Sequence, residues 1–358
     1  MSFSHLRRHI GFTLIEVMVG LAIGMIAALV MTQVFAISES QKRTTTTGSD
    51  AQTNGSIGIY TIERDVRIAG YGFNAVGALG CTINANYDGD DTTFQLTPIT
   101  ITQGVGGLPD SITVMYSSKS TFSAPARIIT NHPPQATNMF LNTTLGMEEN
   151  DLVVAFETGK DCTLLQITGI PNGNVQIHHQ NTSPWNPPGG QNIFPKPDGY
   201  RAGASLFNLG GLVRKTYSID ANSNLVLGDF RSATNTVDVQ VLAPSIVNLQ
   251  AQYGIDMNGV DDGIVDTWSD VIPPGAALNR VYAIRLALVA RSGLVEKATG
   301  GSCDITTANS NNRPMWLNNV DIDVSRHPNG AAYPLWQCHR YKVFEAIMPL
   351  RNQIWRVS

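Results

Sequence analysis

One carboxylate lies inside the most apolar stretch of the chain. Within residues 12–37 the only charged side chain is Glu16, and two arginines, Arg7 and Arg8, precede the stretch. A charge inside a membrane-spanning helix costs about 2.5–3.5 kcal/mol on insertion scales. The sequence therefore predicts either that Glu16 reaches the lipid headgroups or that a cationic partner compensates its charge.

The stretch that carries Glu16 has the length of a membrane span. A helix rises about 1.5 Å per residue, so residues 12–37 can cross a hydrocarbon core of about 30 Å. The positive-inside rule puts the basic leader in the cytoplasm and everything after the span outside. In a Gram-negative cell, the sequence thus predicts a single-pass inner-membrane anchor with a periplasmic remainder.

The helix is expected to continue beyond the membrane. Residues 38–70 predict an amphipathic continuation, because apolar residues recur there at helical spacing at Ile59, Ile62, Val66 and Ala69. One helix over residues 12–69 would be about 87 Å long. The run of threonines and glycine at 44–48 predicts a flexible joint, and Gly70-Tyr71-Gly72 predicts the end of the helix.

The residues in front of the span form a motif. Gly11-Phe12-Thr13-Leu14-Ile15-Glu16 resembles the processing site of type IV prepilins and related pseudopilins. The resemblance implies that a prepilin peptidase removes residues 1–11 as a leader, cuts between Gly11 and Phe12, and methylates the new N-terminus of Phe12. It also implies that Glu16 pairs with the terminal amine of a neighbouring subunit during assembly.

An ordinary signal peptide and a simple signal anchor are the alternatives to a prepilin leader. A signal peptide requires a small-residue cleavage site after its apolar region. The nearest candidate, Ala27-Ala28, is followed by further apolar residues. A signal anchor leaves both Gly11 and Glu16 unexplained.

Residues 71–358 predict a β-rich head. Short apolar or alternating runs, bounded by turn residues, predict strands at 112–116, 152–156, 164–167, 175–178, 211–220, 225–230, 237–241, 246–256, 281–291, 341–349 and 354–357. With the long helix, they predict an α+β, pilin-like fold, in which the helix packs on an antiparallel sheet with loop-rich insertions.

Four cysteines lie beyond the span, and the periplasm favours their oxidation. They are Cys81, Cys162, Cys303 and Cys338, and they permit three pairings. Cys303 and Cys338 flank a loop-rich stretch, which favours their pairing and leaves Cys81 to pair with Cys162. A metal site at Cys338-His339 is disfavoured, because the chain has no second unit of metal-ligand spacing.

Two acidic segments have the residue types of calcium loops, because Ca²⁺ prefers oxygen ligands and glycine permits sharp turns. The first segment presents Asn84, Asn86, Asp88 and Asp90 at every second position. The second presents Asp256, Asn258, Asp261, Asp262 and Asp266. Asp, Asn and Gly are also common in ordinary turns, so the sequence leaves both interpretations open, with the second segment slightly favoured for calcium.

Composition and motifs argue against nucleic-acid binding and catalysis. Charged residues make up 15% of the chain and the net charge is -4, so no basic surface is expected. The sequence contains no Gly-x-Ser-x-Gly, phosphate loop or His-Glu-x-x-His. His178 and His179 lie on a predicted strand, where neighbouring side chains point to opposite faces. We therefore expect a protein that is not an enzyme.

Three further stretches resemble the PilW family of minor pilins. Arg67-Ile-Ala-Gly-Tyr71 ends the helix, Gln250-Ala-Gln-Tyr-Gly-Ile-Asp256 leads into the second acidic segment, and residues 340–352 (RYKVFEAIMPLRN) form a C-terminal signature. These stretches carry no catalytic residue. Residues 92–197 match no family feature.

The PilW resemblance implies a role in pilus assembly. Minor pilins of this kind join other minor pilins and a PilY-like tip adhesin in the inner membrane, and the complex primes polymerisation of the major pilin. The alternative is a J-type minor pseudopilin of a type II secretion system, although the chain length and the Leu-Arg-Asn ending favour the pilus. A third possibility is an adhesin that binds through the Trp185 loop or residues 313–316.

Overall fold

The computed structural model describes residues 11–73, 77–119, 124–171, 175–188, 192–260, 262–296, 303, 306, 313–317 and 320–354. Its α-helices are α1 (Leu14–Ile68) and the short α2 (Arg351–Ile354), and short 3-10 helices cover Val105–Gly107, Gly275–Arg280 and Trp336–Cys338. Its strands are β1 Thr82–Tyr87, β2 Asp90–Gln95, β3 Ile99–Thr102, β4 Ser111–Ser117, β5 Ala126–Arg127, β6 Asn138–Phe140, β7 Leu152–Phe156, β8 Cys162–Gln166, β9 Gln176–His178, β10 Ser205–Gly210, β11 Leu212–Ile219, β12 Asn224–Arg231, β13 Thr236–Pro244, β14 Ile246–Ile255, β15 Thr267–Ser269, β16 Val281–Arg291, β17 Met315–Trp316, β18 Val320–Asp321 and β19 Tyr341–Pro349.

Helix α1 is continuous over 55 residues, about 82 Å at the usual rise. It does not break at the joint predicted for residues 44–48. The Thr45 hydroxyl donates to the Gln41 carbonyl at 2.9 Å, so this polar side chain is satisfied within the helix. The helix ends at Ile68, and Gly70 follows with φ of 73°, as the glycine pair predicts.

Two antiparallel sheets lie under α1. The five-stranded sheet has the order β13-β12-β11-β4-β3, and the four-stranded sheet has the order β15-β14-β16-β19. Strands β13, β16 and β19 contact the helix. The helix contributes Ala51, Ile62, Val66 and Ala69 to the main hydrophobic core, which confirms the predicted apolar stripe from Ile62 onwards.

A third sheet builds a separate part of the head. Its order is β2-β1-β8-β7-β10-β5, and all its pairs are antiparallel except β1 with β8. One face of this sheet joins the main core, and the other packs on a second core within residues 126–206. The predicted α+β fold, a long helix on mostly antiparallel strands, is confirmed.

Most predicted strands are present. The predictions at 152–156, 281–291 and 341–349 match β7, β16 and β19 at both ends. The prediction of a strand from Ile354 is wrong, because Ile354 closes α2. Its N–H donates to the Leu350 carbonyl at 3.2 Å, so the chain turns here instead of extending. Residues 355–357 of that prediction lie outside the described part of the chain.

An ion pair fastens α1 to the five-stranded sheet. Asp65 is 1% exposed, and its Oδ2 accepts from Lys215 Nζ at 2.8 Å and from Tyr217 Oη at 2.6 Å. Burial alone lowers the pKa of Lys215, but the Asp65 carboxylate outweighs that effect and raises it overall. The helix therefore buries a charge that the sheet compensates.

Glycines let α1 approach the four-stranded sheet closely. A Cβ atom at Gly55 would lie 2.0 Å from Cε2 of Phe344, and one at Gly58 would lie 2.8 Å from Cδ2 of Leu288. Phe344 and Leu288 are cross-strand partners in β19 and β16. The ring of Phe344 thus occupies the space that a side chain at residue 55 would need.

The end of the chain also closes on α1. The Asn352 side-chain amide donates to the carbonyls of Ile68 and Ala69, both at 3.1 Å. The Ile68 carbonyl also accepts from the Tyr71 N–H at 3.1 Å. Asn352 therefore adds a side-chain cap at the C-terminus of the helix.

Replacing Gly55 by alanine should loosen the helix from the head. The added methyl group would overlap the Phe344 ring, so we expect a loss of about 1–3 kcal/mol in the free energy of unfolding. Gly48→Ala is the matched control: no heavy atom lies within 4 Å of a Cβ there, so the change should be neutral or stabilising by up to about 1 kcal/mol. Urea unfolding of the full chain in detergent, followed by tryptophan fluorescence, measures both. Equal effects would contradict the close contact.

Removing the Asp65 carboxylate should be more damaging. Asp65→Ala leaves Lys215 half-buried without its anion, so we expect a loss of about 2–4 kcal/mol in the free energy of unfolding. The control is Glu63→Ala, which removes only the exposed pair of Glu63 with Arg67 and should cost about 0.5 kcal/mol or less. Thermal unfolding by circular dichroism separates the two. A variant at Asp65 as stable as that at Glu63 would show that the buried pair does not hold the helix.

Candidate assembly and processing site

The prepilin-like motif lies at the start of α1 and forms a capping box. Thr13 is the N-cap residue, and the Glu16 N–H donates to its Oγ1 at 3.3 Å. In return, Glu16 Oε2 accepts from the Thr13 N–H and from the Thr13 hydroxyl, both at 2.9 Å. The local sequence explains this arrangement, since threonine followed three residues later by glutamate satisfies two otherwise unpaired helix N–H groups.

The predicted scissile bond lies just outside the helix. Gly11 and Phe12 precede the N-cap, Phe12 is 87% exposed, and no heavy atom lies within 4 Å of a Cβ placed at Gly11. A peptide bond in this position is open to a peptidase, because no helical hydrogen bond must break first. The leader residues 1–10 lie outside the described part of the chain.

The segment that follows has the properties of a membrane span. Residues Leu14–Glu39 of α1 have a mean hydropathy of 2.5, and none of this stretch is buried against the head. Among the described residues it is the only helix long and apolar enough to cross a membrane. Glu16 therefore lies in the first turn of the apolar segment, where the helix dipole favours an anion.

The first acidic segment is a β-hairpin and not an open loop. Asn84 and Asn86 lie on β1, Asp90 begins β2, and Asp88 lies in the turn with φ of 54°. The Asn86 amide donates to Asp91 Oδ1 at 2.7 Å, and its oxygen accepts from the Gly89 N–H at 3.1 Å. The Asn86 side chain thus stabilises the turn itself.

The second acidic segment is the loop between β14 and β15. Asp256 is fully buried at the loop base, whereas Asn258, Asp262 and Asp266 are exposed. Asp266 Oδ2 accepts from the N–H groups of Met257 and Asn258 at 3.0 and 2.9 Å. Asp261 lies outside the described residues.

Among the residues that the structure describes, no three His, Cys, Asp or Glu side chains come close enough to hold a metal ion by themselves. His179 does find another histidine, His132, with the two Nε2 atoms 3.1 Å apart. Burial lowers the pKa of His132 to about 4, and burial together with His132 lowers that of His179 to about 3. Both rings are neutral at neutral pH, so one donates its N–H to the other within the second core.

Two disulfides join the four cysteines. Cys81 pairs with Cys162 and Cys303 pairs with Cys338, with Cα–Cα distances of 5.9 and 4.8 Å. The first bond links the segment after α1 to β8. His339 does not act with Cys338, since its Nδ1 lies 2.8 Å from the Ser292 carbonyl and its Nε2 lies 2.6 Å from Tyr333 Oη.

The tryptophans proposed for adhesion pack inward. Trp185 is 2% exposed, and its Nε1 donates to the Ser232 carbonyl at 2.8 Å. Trp316 is 6% exposed and covers the back of the four-stranded sheet together with Ile322 and Val324. Neither indole offers a free surface, so these residues stabilise loops and do not form a binding face.

Asp65, Phe344 and Asn352 are the structurally important residues that sequence reasoning missed. Asp65 lies on α1 and pairs with Lys215 from far along the chain, and Phe344 and Asn352 also reach α1 from distant positions, so their spacing carries no local pattern. Phe344 and Asn352 lie within the C-terminal signature, which is the one signal that could have indicated them.

A processing motif at the head of a long apolar helix, joined to a β-rich head, defines a pilin-like membrane protein. Two family models match the chain: the prokaryotic N-terminal methylation motif over residues 6–32, and type IV pilus-assembly protein W over residues 213–352. No curated protein gives a match. These matches support a type IV pilus minor pilin of the PilW family. The motif and the one apolar helix found among the described residues fit an inner-membrane-anchored pilin.

The charge of Glu16 can be separated from its capping role. Glu16→Gln keeps an oxygen that accepts from Thr13, whereas Glu16→Ala removes both the charge and the cap. We expect both variants to be cleaved normally, and both to enter sheared filaments about tenfold less than the parent chain, because neither can pair with a cation in lipid. Immunoblots of membrane and filament fractions measure this. Normal incorporation of the glutamine variant would assign Glu16 to helix capping alone.

Proposed function

We propose that the chain is processed between Gly11 and Phe12, and that it joins an inner-membrane complex of minor pilins which primes assembly of the type IV pilus. The observation that carries the proposal is the combination of an assembly helix with an oversized head. The helix carries the exposed apolar side chains and the Glu16 carboxylate that the proposed assembly uses. The head adds a third sheet and a second core to the two sheets that hold the helix.

The helix supplies the means of assembly. Residues of its apolar half, such as Phe12, Leu14 and Phe35, are 74–87% exposed, so they are available for packing against the helices of other subunits. In a filament outside the membrane, burying these side chains against one another removes apolar surface from water, which is favourable. The Glu16 carboxylate would then find its cation in the terminal amine of the neighbouring chain.

The head determines where in the filament the subunit fits. Subunits in the shaft of a helical filament are surrounded on all sides, whereas the subunit at the end is not. A head with a six-stranded sheet beside its helix-bearing sheets fits an end better than the shaft. The proposed partners are therefore other minor pilins, the major pilin and a PilY-like adhesin at the tip. This role is structural and needs no catalytic centre.

Surface piliation of a strain that lacks the gene, with retraction also disabled, tests the priming role. We expect few or no pili, because the initiating complex would be incomplete, and restoration of pili by the full chain but not by Glu16→Ala. Normal pili in the deletion strain would contradict priming. In that case, defective type II secretion would instead favour the pseudopilin alternative.

The position of the protein in the filament is a separate readout of the same strains. Immunogold labelling of the restored pili should place the protein at filament ends. Even labelling along the shaft would contradict the argument from the size of the head.

A further inference from the structure

We propose that the loop between β14 and β15, residues 256–266, binds a calcium ion through Asp256. The loop closes a hairpin whose last cross-strand pair is Ile255 with Thr267. The Asp266 N–H donates to the Ile255 carbonyl at 3.1 Å. The two ends of the loop, Asp256 and Asp266, are thereby held side by side at its base.

The key atom is Oδ1 of Asp256. The residue is 0% exposed, and its Oδ2 accepts from the Gly263 N–H at 3.1 Å across the loop. That bond directs the carboxylate into the loop. Among the residues that the structure describes, no donor reaches Oδ1, although this atom is buried. A buried carboxylate oxygen without a donor is unfavourable, and a bound cation removes the problem.

The negative charge of the loop also favours the binding of a cation. Residues 256–266 contain four aspartates and no lysine or arginine. Asp256 is buried at the loop base, and Asp262 and Asp266 are exposed. A loop with this negative charge and no cationic side chain attracts a cation.

Calcium fits this loop better than other cations. The loop has no histidine or cysteine, so its oxygens exclude the ligand sets that zinc prefers. Ca²⁺ takes six to eight oxygens, and these include backbone carbonyls, amide oxygens and water in flexible geometry, whereas Mg²⁺ demands a strict octahedron. A site that uses one buried carboxylate with loop and water oxygens therefore does not need three acidic side chains in contact.

Terbium luminescence tests the site on the full chain in detergent, after treatment with a chelator. Trp268 packs against Gly254, two residues before Asp256, and a Cβ at Gly254 would lie 2.7 Å from its ring. Tb³⁺ bound in the loop should be sensitised by this tryptophan, and Ca²⁺ should displace it with a dissociation constant of about 0.1–1 mM, as in other extracellular calcium modules. Calcium alone should also raise the melting temperature of the chain.

Variants locate the ion. Asp256→Asn and the exposed Asp262→Asn should each weaken Tb³⁺ binding about tenfold or more. Asp262→Asn keeps the test valid if Asp256→Asn does not fold. Trp268→Phe should remove the luminescence but keep the calcium-induced rise in melting temperature. Asp90→Asn, at the β1–β2 hairpin, is the matched control and should change nothing.

Two results would overturn the proposal. One is the absence of both Tb³⁺ luminescence and a calcium-induced melting shift at millimolar ion. The other is binding that Asp256→Asn and Asp262→Asn leave unchanged, since the ion would then lie elsewhere.

Discussion

The structure depends on one helix, α1, whose two parts have different surroundings. The first part of α1 is apolar on every side and suits lipid or the packed centre of a filament. The second part must hold a large head firmly, since any force on the filament reaches the head through this contact. The chain meets that demand with close packing at Gly55 and Gly58 and with the buried pair of Asp65 and Lys215. Both devices lie where α1 crosses the sheets.

The same contact explains which part of the head carries the family match. The PilW match over residues 213–352 includes β13, β16 and β19, which are three of the strands that contact α1, and it ends at Asn352, which caps the helix. The segment 92–197 contributes most of the second core, and its strand β4 also contacts α1. Because that core is separate, the residues that line it can differ in sequence without disturbing the contact with α1.

Sequence patterns predicted those elements that depend on residues close together in the chain. Strands β7, β16 and β19 could be predicted to the residue, since their apolar runs are bounded by turn residues. The hairpin of β1 and β2 was hidden, because its Asn and Asp residues also suit a loop. The threonines of residues 44–48 suggested a joint, but the helix runs through them. Here a weak local preference was overridden by the rest of a long helix.

What the sequence by itself determined is the order of parts: the processing motif, the span with one carboxylate, the amphipathic continuation and the strand-rich head. Each of these parts is encoded by residues that lie near one another in the sequence. Only the tertiary structure decided which distant residues are in contact: Lys215 with Asp65, Phe344 with the helix at Gly55, and His132 with His179. It also buried Asp256 with an oxygen to which no described residue donates. These contacts join residues that are far apart in the chain or depend on burial, and a single sequence carries no periodic signal for either.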